Sequence, residues 1–328
     1  MTVVVVTWQR RDLVLSCLDS LARQTTSHRV LVVDNASTDG SSEAVAVTFP
    51  EAKILRLPKN VGFAGGVAAA MSEVGTRFVA LLNNDALAEP EWLEACLVAM
   101  QDPGVAAVTS KMLLVTTGSG VEARVVNNAG VVLLASLYGA DRGLGEHDGS
   151  RYDVPVEVFG FSGGAVVLRT LAVKAAGGFA DEWFMYYEDT DLSWRLRLAG
   201  WRIVYEPRAV VRHLHAASAD PASEGFAFHN ERNRLLMLLR DAPISAAVGA
   251  TGRFVLTTAS LAASRAARRS VPDAAVFRPM LRLRVLRDVA WRFPQTLRDR
   301  RHVPRSVSRR DVLREWTGAT ERPARVVS

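Results

Sequence analysis

The sequence predicts a doubly wound α/β fold followed by a helical, arginine-rich extension, and three observations predict it. Short apolar, β-branched runs alternate with helical patterns through the first hundred residues. Those runs are apolar at almost every position, as in strands buried on both faces of a parallel sheet. Polar residues gather directly after the runs, where open α/β sheets bind their ligands.

Taken in order, residues 3–6, 29–33, 52–57 and 78–82 read as strands, and residues 13–22, 42–47, 64–74 and 90–100 as the helices between them. Pro90 suits the first turn of its helix, where a missing N–H costs nothing. From residue 105 to 152 the pattern loosens; residues 116–120 and 139–149 read as loops around short strands, and the region is expected to be mobile. Order returns over residues 156–169, a helix at 171–176, a helix at 190–199 and, through Gly200, a strand at 201–205. After Ala227 the pattern is helical. Residues 244–263 approach membrane-spanning length, but Gly249, Gly252 and Arg253 interrupt them, which favours an interfacial or protein-packed helix.

Length and composition set bounds. A chain of 328 residues, 49% hydrophobic and 23% charged, can bury a large core and is not a disordered protein. Cys17 and Cys96 show neither metal spacing nor a disulfide framework, which predicts core fillers in a reducing compartment. The apolar run 3–6 precedes Arg10 and Arg11, the wrong order and length for a signal peptide, so a cytoplasmic setting is expected. The net charge of +6 is uneven: residues 264–328 hold 17 arginines, no lysine and 6 acids, leaving the preceding body mildly acidic. Such a tail suits an anionic partner, nucleic acid or membrane lipid.

The strand ends carry the candidate chemistry. The first strand ends at Thr7 and the second at Asp34, a carboxylate placed for a ribose or base, whereas Asp39-Gly40 reads as a turn before a capped helix. Asn60-Val61-Gly62 precedes a helix of small residues, and its glycine lets backbone approach a ligand. A nicotinamide or flavin enzyme would have glycines after the first strand; Thr7-Trp8-Gln9-Arg10-Arg11 stands there instead. Asn83-Asn84-Asp85 follows an apolar strand with oxygen ligands fit for a hard cation that bridges a diphosphate. Glu188 and Asp189 sit among aromatic residues, where desolvation raises a carboxylate toward use as a base, while Asp191 is spaced to pair with Arg195 on a helix. His213 ends another apolar run and could complete a metal site. The segment 229–234 offers guanidinium groups, Arg232 among them, suited to a diphosphate.

Six segments in this order, Val-Val-Thr-Trp-Gln-Arg, Val-Asp-Asn-Ala-Ser-Thr-Asp-Gly, Asn-Val-Gly-Phe-Ala-Gly-Gly, Leu-Leu-Asn-Asn-Asp, Gly-Phe-Ser-Gly-Gly and Glu-Asp-Thr-Asp-Leu-Ser-Trp-Arg, resemble the inverting family 2 glycosyltransferases, particularly bacterial rhamnosyltransferase-like members. The resemblance implies a GT-A, Rossmann-like nucleotide-binding fold over residues 1–225, with residues 226–328 as a helical, membrane-associating extension. It implies a donor site that includes Thr7, Gln9, Arg10, Asp34, Asn60, Gly62, Asn83, Asn84 and Arg232. It implies a DXD-type metal motif at Asn83-Asn84-Asp85, with Asn83 replacing the usual first acid, and a metal or diphosphate role for His213. Mg²⁺ or Mn²⁺ at Asp85 and His213, Asp189 as general base with Glu188 beside it, and a single inverting displacement follow from the same resemblance. The expected partners are a nucleotide-diphosphate sugar, with dTDP-rhamnose suggested, and a saccharide or lipid-linked acceptor of cell-envelope polysaccharide synthesis.

A nucleotidyltransferase shares this layout but has a glycine- and basic-rich loop after its first strand, absent here. A nucleic-acid partner is supported by the tail alone and opposed by the acids of the body. Arg278, Arg282, Arg284 and Arg287 interleave with Met280, Leu281, Leu283, Val285 and Leu286, before Trp291 and Phe293. That mixture predicts docking on an anionic leaflet, peripheral on the inner face of the plasma membrane. Packing on the body or homo-oligomerisation is the alternative use of the tail.

Overall fold

The computed structural model describes residues 1–115, 124–214 and 222–323; the expected loop at 116–120 and His215 lie outside the described residues. The first seven elements alternate as predicted: β1 (Thr2–Thr7), α1 (Arg11–Ala22), β2 (Arg29–Asp34), α2 (Ser41–Thr48), β3 (Lys53–Arg56), α3 (Gly62–Glu73) and β4 (Phe78–Leu82). Then come β5 (Ala86–Ala88), α4 (Trp92–Ala99), β6 (Val105–Leu114), β7 (Val125–Asn128), β8 (Val131–Leu133), β9 (Gly139–Asp141), β10 (Val156–Glu157) and β11 (Ala165–Arg169). The rest is α5 (Thr170–Ala175), α6 (Glu188–Leu198), β12 (Arg202–His213), α7 (Glu224–Asp241), α8 (Ile244–Ala266), α9 (Pro279–His302), α10 (Arg309–Trp316) and β13 (Arg322–Pro323).

Strands β3-β2-β1-β4 are parallel neighbours, the order of one half of a doubly wound sheet. Antiparallel β11 joins β4 to β6, and β12 runs parallel to β6. Because side chains alternate along a strand, β1 sends Val4 and Val6 into one core layer and Val3 and Val5 into the other. Val79 and Leu81 of β4 part from Ala80 and Leu82 in the same way, and this two-sided burial is why the strands read as unbroken apolar runs. Cys17 and Cys96 are buried and unpaired in the second layer.

Three expectations are corrected. Pro90 lies ahead of α4, whose N-cap is Glu91, so it belongs to the preceding turn. The stretch expected to be loose contains β6, a fully packed strand between β12 and β11. Thr109, Ser110 and Lys111 hid it by breaking the apolar pattern, yet each has a tertiary partner. Ser110 accepts from Trp92 Nε1 at 2.7 Å, Lys111 Nζ reaches both Asp148 and Asp153 at 2.9 Å, and Thr109 accepts from the Ser162 N–H. Finally, the strand expected at 201–205 and the later apolar run form one strand, β12, joined across a register shift between Glu206 and Val210 where Pro207 cannot donate to the ladder.

A third apolar cluster links α6 to the extension through Trp194, Leu235, Leu238, Phe254, Val285 and Trp316. Strand β13 pairs with β10, so the extension returns to the sheet. Arg282, Leu281 and Val285 of α9 face inward, and Arg282 donates to the Thr258 hydroxyl and the Phe254 carbonyl. The expected interleaved leaflet-binding stretch therefore divides into an inward face and an outward face carrying Met280, Leu283, Trp291 and Phe293. Among the described residues no helix is long and apolar enough to cross a membrane.

Candidate active site

The carboxyl ends of β1, β2 and β4 meet as the sequence predicted, tied by short polar side chains. Asn84 donates to the Thr7 hydroxyl at 3.0 Å, and the Asn35 N–H donates to the Thr7 carbonyl. After β1 the chain turns through Gln9 and Arg10, both left-handed at φ 58° and 63°. The Gln9 side-chain amide exchanges two hydrogen bonds with Thr38, and the Gln9 backbone N–H donates to Ser37 Oγ at 2.8 Å. This strained pair of turns is held by its neighbours, a condition common at ligand sites.

Asp34 is buried and already engaged: one oxygen accepts from the Ser37 N–H and the other from the Ser42 hydroxyl. It organises the loop as well as facing it. Asp39 is the turn residue expected, accepting from Arg11 N and Ser41 N at the starts of α1 and α2.

Asn60 Oδ1 accepts from the Gly62 N–H at 2.8 Å, and Asn35 clamps the same turn through Gly62 O and Val61 N. Gly62 is required here: its φ is +77°, and a Cβ would stand 2.1 Å from the Phe184 carbonyl oxygen. That carbonyl accepts from the Ala64 N–H, so the Asn60–Gly62 turn abuts the loop that leads into α6.

The two metal candidates, 128 positions apart, are brought together. His213 Nε2 lies 3.0 Å from Asp85 Oδ1, and the Leu214 N–H donates to the Asp85 carbonyl. Asn83 and Asn84 flank this pair on the same turn.

Glu188 and Asp189 open α6, and the structure separates them. Glu188 is buried, and burial together with Asp189 and Asp191 pushes its carboxyl well above the ordinary glutamate range. Asp189 is partly exposed and accepts from Gly163 N at 3.0 Å and from Thr190 N at 2.6 Å. Burial raises its pKa, and these hydrogen bonds oppose the rise. Asp191 is structural, as its spacing predicted: it binds Arg195 and also Arg240 of α7, fully buried.

Arg232 does not join the polar turns at the strand ends. It is buried and donates to the Trp183 carbonyl at 2.8 Å and to Asn233 Oδ1. Beside it the Asn233 amide reaches the carbonyls of Trp183, Met185 and Tyr186 at 2.7–3.2 Å. Phe184, Tyr186 and Tyr187 all adopt positive φ, and these two α7 side chains hold that strained loop.

The sequence reading missed Asn35, Asn233 and the Gly163-Gly164 pair as site residues, and Asp141 as well. Gly163 donates to Asp189 while the Gly164 carbonyl accepts from Asn83 N, so two adjacent glycines join the acid pair's helix to the Asn-Asn-Asp turn. The Gly-Phe-Ser-Gly-Gly motif was the available signal for them. Asp141, which accepts from Asn128 at 2.6 Å, sits in the electrostatic field of both Asp189 and His213. No local pattern marked it.

This architecture, a parallel quartet with polar turns at its carboxyl edge and an acid at the start of a facing helix, is that of the GT-A transferases. GalNAc-T7, solved with UDP, GalNAc and Mn²⁺, superposes with a TM-score of 0.62 at 11% identity, over 90% of this chain and 57% of that one. Residues 2–160, just under half of the chain, match the model of glycosyl transferase family 2, and the chain is a glycosyltransferase similar to that family. The N-acetylglucosaminyl-diphospho-decaprenol L-rhamnosyltransferase of Mycobacterium tuberculosis is 27% identical over 61% of this chain and 71% of that protein. The pre-mycofactocin glycosyltransferase of the same organism is 32% identical over 57% of this chain but only 37% of that protein.

Proposed function

We propose that the chain is a metal-dependent, inverting glycosyltransferase that moves a sugar from a nucleoside-diphosphate donor onto a hydroxyl of a saccharide or lipid-linked saccharide. The observation that carries this reading is the Gly163-Gly164 bridge, which fixes Asp189 relative to the Asn83-Asn84-Asp85 turn. Asp189 takes the proton of the acceptor hydroxyl. The freed oxygen bonds to the anomeric carbon, and the bond from that carbon to the donor phosphate breaks with its electron pair leaving on the diphosphate. Attack from the face opposite the leaving group inverts the configuration.

Asp85 and His213 would hold Mg²⁺ or Mn²⁺. They supply one oxygen and one nitrogen ligand, and no group of three or more His, Cys, Asp or Glu side chains that could hold an ion occurs among the described residues. One carboxylate and one imidazole would suit a divalent cation that is bound through few protein carboxylates. Such an ion neutralises charge that builds on a departing diphosphate. Thr7, Gln9, Arg10, Asp34, Asn60, Gly62, Asn83 and Asn84 form the wall that would take the nucleotide. Arg232 supports the opposite loop instead.

The name of the mycobacterial relative supports rhamnose as the sugar and a lipid-linked diphosphate saccharide as the acceptor, with dTDP-rhamnose as the donor to test first. The outward apolar and basic residues of α9 support work at a membrane surface. A screen of nucleotide sugars, reading released nucleoside diphosphate with and without Mn²⁺, tests the proposal. Metal-stimulated release is expected from the wild type and loss of that stimulation from Asp85→Ala; equal metal stimulation in both would remove Asp85 from the metal site.

A further inference from the structure

We infer that the groove between the amino ends of α8 and α10 binds a phosphate group. It has a volume of about 610 Å³ and is lined by Arg300, Arg305, Arg309 and Arg310 together with Ile244 and Val307; no Asp or Glu lines it. A neighbouring groove of about 690 Å³ shares Pro243, Ser245 and Arg310, adds Arg253 and Arg314, and also lacks a carboxylate lining. Elsewhere in the extension arginines meet acids: Arg278 with Glu224, Arg292 with Asp288, Arg322 with Glu315. Arg300 and Arg309 donate to the last carbonyls of α7 near buried Asp241, whereas Arg305 and Arg310 have no ion pair among the described residues, so their charge is left to solvent.

Two further features aim at an anion. The 23-residue helix α8 starts at Pro243 with no side-chain cap and no acid in its first turn, so its unbonded N–H groups and positive dipole end open on the groove at Ile244 and Ser245. Arg309 is only 8% exposed. One of its terminal nitrogens donates to the carbonyls of Arg240 and Arg300, but its Nε has no partner. Burial, reinforced by Arg300 and Arg305, lowers its pKa to about 10. A phosphate in the groove would offset the charge of Arg309 and of its neighbours Arg300 and Arg305, in the fork geometry that exposed Arg305 and Arg310 offer to phosphate.

The phosphate could be carried by a lipid headgroup or be free in solution, and the rim favours the first. Ile244 and, one turn along α8, Val248 are 53% and 60% exposed, which sets apolar surface beside the charged groove.

Binding by the full chain and by the double variant Arg305→Ala/Arg310→Ala tests this. Both side chains are exposed and lie outside the candidate active site, and matching melting temperatures would establish that the variant is folded. One arm titrates inorganic diphosphate in the presence of EDTA. The other co-sediments protein with vesicles of phosphatidylglycerol and phosphatidylcholine, against phosphatidylcholine alone. Binding roughly 30-fold weaker in the variant is expected on the anionic vesicles, from two arginines near such a surface. A loss confined to the diphosphate arm supports the same site with a soluble phosphate as its ligand. Unchanged binding in both arms overturns the inference. Because the readout is binding and not turnover, its failure is separate from failure of the proposed transfer reaction.

Discussion

The two walls of the candidate site are built by different means. The wall proposed to take the donor is local: Thr7, Gln9, Asp34, Ser37 and Thr38 bind one another across adjacent turns at the ends of neighbouring strands. The wall that carries Asp189 is remote. Its loop, residues 183–187, is strained at three positions and is held by Arg232 and Asn233 of a helix almost fifty residues later. A wall made of local turns is set once the sheet forms, whereas the other exists only after α7 has packed. Variants should therefore divide into those that disturb the donor and those that disturb the chemistry.

The largest expected effect falls on the proposed base. Asp189→Asn should lower kcat by roughly 10²–10⁴-fold while donor affinity, followed by calorimetry, stays within a few-fold. Wild-type turnover in this variant would remove Asp189 from the mechanism and with it the division between the walls.

Gly62→Ala should disturb both walls together, since its Cβ would collide with the Phe184 carbonyl at a backbone conformation unsuited to L residues. Strain of about 1–3 kcal/mol should appear as a lower Tm, with a raised donor KM and a reduced kcat. A change in KM alone would show that the two walls move independently.

Asn233→Ala sharpens the contrast. It leaves the carbonyls of Met185 and Tyr186 without their donor, at a cost of about 1–3 kcal/mol. We expect kcat to fall about tenfold with donor KM unchanged, whereas Asn35→Ala, which frees the Gly62 turn, should raise donor KM first. Steady-state kinetics of the two variants side by side would show whether the roles are reversed.

The smallest effect is a pH shift. Burial raises the Asp189 pKa, so the carboxylate form needed to accept a proton appears only at pH above the ordinary aspartate range. The acid limb of kcat/KM should lie correspondingly high. In stability terms the sign is the opposite: the raised pKa favours the folded state below the unfolded value, and that contribution is lost as pH rises through the folded one. A limb at the ordinary aspartate position would assign it to another group.

Much of this molecule was legible along the chain. The strands β1, β2 and β4, the polar turns after them, the acids at the start of α6 and the Asp191–Arg195 pair all rest on periodicities or spacings of a few residues. Strand β6 was not legible, because Ser110 and Lys111 read as surface until Trp92, Asp148 and Asp153 come to meet them. Arg232 was misread for a related reason. Its guanidinium chemistry suits a diphosphate, and nothing near it in sequence reveals that a backbone carbonyl of residue 183 lies closer.

The sequence by itself determined the parallel quartet, the site's position at its carboxyl edge and the residue types available there, since hydrophobic periodicity, turn chemistry and helix-start signals act over a few residues. Only the tertiary structure decided which of those residues meet. It placed His213 against Asp85, buried Glu188 while leaving Asp189 partly exposed, turned Arg232 and Asn233 onto the strained loop, and left four arginines lining a groove with no carboxylate. Those outcomes depend on packing between segments far apart in the chain, where the partner of a buried polar group is set by which surfaces exclude water together.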